Sequence, residues 1–219
     1  PSLFLFDIRA DNDECGFDRA DLARSLSAAV LVADILVEID HVLRVVGRPG
    51  SVEQLRSLWQ QFVTGAESLE AFHRALPAFV SQVTALPRTR EPQACPRVVV
   101  TGDFFTRFSS FFMEGVPDLY NQRGIILKPV DLSDVVMHET YDDLSQVARG
   151  WGIKPGGLAL TMACTQIFRP EGQQYLQQWL SYEGERWSQH HYRRLFRQTG
   201  LLVPGPDEVP SRVEEASRH

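Results

Sequence analysis

The hydrophobic pattern of this chain changes period after residue 86, and that change restricts the folds open to it. Through residue 86, apolar side chains recur every three to four positions, the spacing that builds one face of a helix. After a stretch from Pro87 to Pro96 that holds three prolines, two short apolar runs appear instead, Arg97-Val98-Val99-Val100-Thr101 and Ile125-Ile126-Leu127-Lys128-Pro129-Val130. Helices followed by two strands at crossover distance read as an α/β chain. The expected organisation is a mainly helical subdomain over 1–86, a linker over 87–96, an α/β unit over 97–203 with a long C-terminal helix, and a polar tail over 204–219.

Within the first part, Asp18 is placed to cap a helix carrying Leu22, Leu26, Ala29, Val30, Ala33 and Val37 on one face and ending near Gly47. Ser51-Val52-Glu53-Gln54 spells a capping box, followed by Val52, Leu55, Leu58, Trp59, Phe62 and Val63 at helical spacing. A third helix follows Gly65, with Leu69, Phe72, Leu76, Phe79, Val80 and Val83 inward. Pro77 is expected to kink it or divide it.

The two later runs read as buried strands. The 23 residues from Gly102 to Gly124 suit a crossover helix, so the unit is expected to be a parallel, Rossmann-like βαβ. From Asp134 the pattern is helical again, with a long helix from about Gln173 to Arg197. Two parallel strands make a poor sheet without neighbours. The α/β unit is therefore expected to be incomplete. The chain also opens at Pro1 and runs straight into Leu3-Phe4-Leu5-Phe6, so it reads as an internal fragment of a longer protein.

Charge and cysteine content narrow the function. Twenty-eight acids against 22 bases give a net charge of −6, which argues against a nucleic-acid binder. Lys128 and Lys154 are the only lysines, and the scattered arginines read as a compositional habit rather than a binding surface. The apolar run Ala28 to Ile39 is too short for a bilayer and carries Asp34 and Glu38, so no membrane association is expected and a reducing cytoplasm is the expected compartment. No phosphate loop or dinucleotide fingerprint occurs.

The candidate cleft follows the first strand, because ligands in open α/β sheets bind beyond the carboxyl ends of strands. There Gly102 permits a turn, Asp103 and Arg107 share a helix face, and Thr106 lies beside them. An acid at a helix start with an intrahelical ion pair accounts equally well for these residues. Phe104, Phe105, Phe108, Phe111 and Phe112 read as the core face of the crossover helix. Cys15, Cys95 and Cys164 are too far apart for a paired metal motif and read first as buried thiols; a three-thiolate iron–sulfur site from distant loops is the alternative. His138-Glu139 lacks the second histidine of a zinc-protease motif. His190 and His191 point about 100 degrees apart on a helix, which rules out joint chelation. Trp179, Tyr182 and Trp187 on the same helix suggest packing against a neighbour, and an interface if they are exposed.

Strand, Gly102-Asp103-x-x-x-Arg107, aromatic-rich helix, Gly124, strand and a Tyr141-centred helix together resemble a segment of the large CoA-substrate-specific enzyme activases related to 2-hydroxyacyl-CoA dehydratase subunits. Asp11-Asn12-Asp13-Glu14-Cys15-Gly16 and Thr199-Gly200-Leu201-Leu202 are also similar to that group, whereas Asp103 stands where the pattern has glutamate. The resemblance implies part of a multidomain redox protein of anaerobic metabolism, in which ATP-driven electron transfer serves a dehydratase reaction. It implies stacked Rossmann-like domains holding a 4Fe–4S cluster through three cysteines, with other domains of the parent or an ATPase activator as partners and an acyl-CoA as ligand. For this chain it implies an accessory or dehydratase-like domain, not catalytic alone. The alternatives are a cluster-bearing electron-transfer domain and an interaction module acting through the aromatic C-terminal helix.

Overall fold

A computed structural model describes residues 19–100, 113–129, 131–151 and 170–202. In chain order these form α1 (Arg19–Val46), α2 (Ser51–Gly65), α3 (Leu69–Thr84), β1 (Arg97–Val100), α4 (Val116–Asn121), β2 (Ile126–Pro129), α5 (Leu132–Gly150) and α6 (Pro170–Phe196). The architecture is a mostly helical α/β mixture in which β1 and β2 pair in parallel, from Arg97 opposite Ile126 to Val100 opposite Pro129. None of the described helices is long and apolar enough to cross a membrane.

Helix α1 is the axis of the core. Val32, Ile39, Val42 and Val46 are fully enclosed, and they pack with α2, α3, Ile126 of β2, and Tyr192, Phe196 and Leu201 at the C-terminal end. The buried stripe is not the expected one, since Leu26 and Val37 are 53% and 47% exposed while Ala28, Leu31, Val32, Ile35, Ile39, Val42 and Val46 face inward. Apolar residues surround most of this helix, so periodicity alone does not select a face. The helix ends as expected at Gly47, where a Cβ would lie 2.5 Å from the Leu43 carbonyl oxygen.

Helix α2 starts as expected but without a capping box. Gly50 holds the cap position with φ of 87°, and the buried Ser51 hydroxyl instead donates to the Pro87 carbonyl at 2.9 Å. Leu55 is buried and Trp59 and Phe62 pack on the core, but Val63, expected inward, is 42% exposed. Helix α3 buries Phe72, Leu76, Phe79, Val80 and Val83 as expected. It runs unbroken through Pro77, contrary to a division there. The proline ring faces solvent, where the acceptor it leaves unpaired can be hydrated. Phe62, Phe72, Phe79 and Phe196 form a continuous aromatic cluster, with centroids 4.6 Å apart for Phe62 and Phe79 and 4.8 Å for Phe62 and Phe72.

The segment after α3 is fastened to the end of α1. Thr89 donates to the Val46 carbonyl from both its backbone nitrogen, at 2.7 Å, and its hydroxyl, at 3.0 Å, and Arg90 donates to the Val45 carbonyl at 3.2 Å. These contacts satisfy carbonyls that the last turn of a helix leaves open. Of the two strands, β2 is buried at Ile126 and Leu127, as expected, but β1 is not a buried strand, because Val99 is 49% exposed. The covering layer, α1, packs on β2, and this leaves one side of β1 open.

Phe79 touches Trp59 and Phe62 of α2 and Phe196 of α6, so Phe79→Ala should remove about 3–5 kcal/mol of stability in urea denaturation. A loss below about 1 kcal/mol would show that the aromatic cluster is peripheral to the core.

Candidate functional site

The carboxyl end of β2 meets α1, α5 and α6 in a cluster of buried charges. Asp34 and Glu38 lie one turn apart on α1, Lys128 is on β2, Asp131 immediately precedes α5, and Arg193 comes from α6. Glu38 is 1% exposed. Its Oε2 lies 3.4 Å from Lys128 Nζ and 3.3 Å from both terminal nitrogens of Arg193. Arg193 also pairs with Asp131 Oδ2, and Asp34 Oδ2 accepts from the Ser133 backbone nitrogen at 2.8 Å. Helix α5 is therefore capped at its amino end by a carboxylate from α1 as well as preceded by Asp131, the arrangement its dipole favours.

Burial governs the electrostatics here. It opposes the Arg193 charge, but Asp131 and Glu38 outweigh it and hold the guanidinium pKa above its ordinary value. Burial raises the Asp34 pKa, against hydrogen bonds from Ser133 that lower it. Asp131 Oδ1 has no partner among the described residues. Both cations are engaged by carboxylates, so the cluster clamps four elements together and does not cradle an anion.

The sequence-derived candidates stand mostly apart from this clamp. Gly102, Asp103, Thr106 and Arg107, the five phenylalanines that follow, Cys15 and Cys164 lie outside the described residues. Val100, the last residue of β1, is in register with Pro129, so the chain leaves β1 at the sheet edge where the clamp sits. Cys95 is buried, and its thiol donates to the Glu91 carbonyl at 3.9 Å. No group of three metal-ligating side chains forms among the described residues, which do not include Cys15 and Cys164. His138 is exposed and pairs with Asp142 at 3.5 Å.

Helix α6 divides its aromatic residues between two environments. Trp179 and Tyr182 pack with Tyr141 of α5, beside Leu144 and Tyr175. Trp187 is 68% exposed and stacks on His191 at 5.3 Å. Between α1, α3 and α6 lies a cleft of about 440 Å³, lined in part by Ala28, Leu31, Leu69, His73, Glu185 and Tyr192. There His73 Nε2 and the Tyr192 hydroxyl are 2.5 Å apart. Burial, followed by His191, lowers the His73 pKa, and burial raises those of Tyr192 and Glu185. The cleft thus offers apolar walls, a neutral hydrogen-bonding pair, one carboxylate and the Arg24 side chain.

Sequence reasoning did not single out Glu38, Lys128, Asp131 or Arg193 as a group. The available signal was an i, i+4 acid pair inside an apolar helix and a lysine inside an apolar strand, both of which need buried partners. No protein-family model matches the chain, and no curated protein or solved structure matches it.

Glu38→Gln removes the buried carboxylate that Lys128 and Arg193 share, so it should cost about 3–5 kcal/mol in urea denaturation. Glu70→Gln, at the exposed pair with Arg74, should cost about 0.5 kcal/mol or less. Equal losses would refute the clamp. For Asp34, a folded-state pKa above the ordinary 3.8 means the native state holds its proton more tightly than the unfolded chain. Its contribution is favourable below that value and is lost as pH rises through the folded pKa. Asp34→Asn should therefore gain on wild type as pH rises from the acid limit to 8, read from denaturation midpoints; a gap that widens toward acid would reverse the assignment.

Proposed function

We propose that this chain is an accessory, dehydratase-like domain of a multidomain CoA-ester activase or dehydratase-related redox protein, acting through contacts rather than as a catalyst alone. The order of parallel strand, crossover, strand and helix supports this reading, since it follows the motif order on which the family resemblance rests. The half-exposed Val99, on a sheet that has two strands among the described residues, supports an incomplete Rossmann-like unit that finishes against another domain. The observation that carries the accessory reading over the cluster-bearing one is Cys95, whose thiol is enclosed in the apolar core. In that assembly the partners are other domains of the parent or an ATPase activator, with an acyl-CoA as the ligand held between them.

A second reading, an interaction module acting through α6, is favoured by the exposure of Leu180 and Trp187 on that helix.

Anaerobic reconstitution with iron and sulfide separates the accessory reading from a redox domain. The accessory domain should remain colourless and hold no stoichiometric iron, and Cys95→Ser should not change its metal content. About four irons per chain, with a visible charge-transfer band lost in Cys15→Ser, Cys95→Ser and Cys164→Ser, would overturn it in favour of the cluster-bearing domain.

A further inference from the structure

The cleft between α1, α3 and α6 owes its space to small side chains. Ser27 and Ala28 line it from α1, and Ser181, Gly184 and Ser188 line it from α6, spaced three and four residues apart along one helix face. Helices that pack through larger residues interdigitate and leave few gaps wider than a water molecule, whereas here about 440 Å³ stays open. Leu31 and Leu69 supply apolar wall, and the hydrogen-bonded pair of His73 and Tyr192 forms the floor. Sites for small organic molecules enclose roughly 300–1,000 Å³ and are mainly apolar with a few placed polar groups, and this cleft meets that description.

Glu185 decides the kind of molecule. Its side chain is half-buried in the cleft wall and has no hydrogen bond or ion pair among the described residues. Burial raises its pKa, and no neighbouring cation offsets the cost. Arg24 also borders the cleft, but it is exposed and already engaged. The floor adds no positive charge at neutral pH, because burial and His191 lower the His73 pKa. A partly desolvated carboxylate without a partner is complementary to a ligand cation, and the walls beside it are complementary to an apolar body.

We propose that the cleft between α1, α3 and α6 is a binding site for a small amphipathic amine, whose ammonium pairs with Glu185 while its apolar body lies against Ala28, Leu31 and Leu69.

Three probes that share one phenylethyl body test it by calorimetric titration of the full chain: 2-phenylethylamine, 2-phenylethanol and 3-phenylpropanoate. The amine should bind about tenfold more tightly than the alcohol, the increment expected of a charged hydrogen bond, and the carboxylate should bind most weakly. Glu185→Gln should bring the amine down to the affinity of the alcohol and leave the alcohol unchanged. Gly184→Phe should abolish binding of all three with the melting temperature unchanged or raised, since a side chain there meets no atom of the chain and replaces a helix-weakening glycine. Absence of saturable binding by any probe overturns the site. A carboxylate that binds most tightly assigns the cleft to Arg24 and overturns the ligand class. Amine binding that survives Glu185→Gln undiminished overturns the role of that residue, and binding that survives Gly184→Phe overturns the location. Iron content, which tests the accessory reading, does not depend on any of these outcomes, so the two fail separately.

Discussion

Glu38 ties the first helix of this molecule to the second strand and the C-terminal helix through shared ion pairs. It projects from the C-terminal half of α1, is almost wholly enclosed, and binds Lys128 of β2 and Arg193 of α6. A buried carboxylate is tolerable only when opposite charge and hydrogen bonds replace its water. That requirement fixes where β2 and α6 lie against α1 more sharply than apolar contact does, because hydrophobic burial is non-directional whereas ion pairs need particular atoms within about 4 Å. Asp131 extends the network to the start of α5, and Asp34 adds the Ser133 amide. Much of the clamp's value therefore lies in specifying one packing among several, with modest net stabilisation.

Around this clamp the apolar core is continuous. Residues of α1, α2 and α3 share one buried cluster with Cys95, Ile126, Tyr192, Phe196 and Leu201. The carbonyls at the end of α1 are satisfied by Thr89 and Arg90 from the proline-containing segment that follows α3. Helical and strand-bearing parts thus meet through a common core and through backbone hydrogen bonds. The sheet itself has little to do with this cohesion: β2 is covered by α1, and β1 remains open at Val99.

Helix α6 serves three environments along its length because its sequence is not simply amphipathic. Trp179 and Tyr182 turn toward α5, Tyr192 and Phe196 enter the main core, and Leu180 and Trp187 stay in solvent. The hydrogen bond between Tyr192 and His73 ties the helix to α3 and floors the cleft between α1, α3 and α6. Leu180 stands at the rim of that cleft and Trp187 lies beyond it on His191.

Much of the secondary structure could be read directly. The period of the apolar residues located α2 and α3, the β-branched runs located β1 and β2, and Gly47 ended α1 where expected. Two local readings failed because a tertiary partner competed with a local one: Ser51 gave its hydroxyl to Pro87 instead of capping α2, and the inward stripe of α1 was chosen by its neighbours. The charge clamp was not legible as a site, because its members are 90 residues apart between Glu38 and Lys128 and 155 apart between Glu38 and Arg193. Sequence by itself determined where helices and strands form, since backbone propensity and the hydrophobic period are local properties. Only the tertiary structure decided which faces are buried and which charges meet, because those depend on partners that chain distance does not reveal.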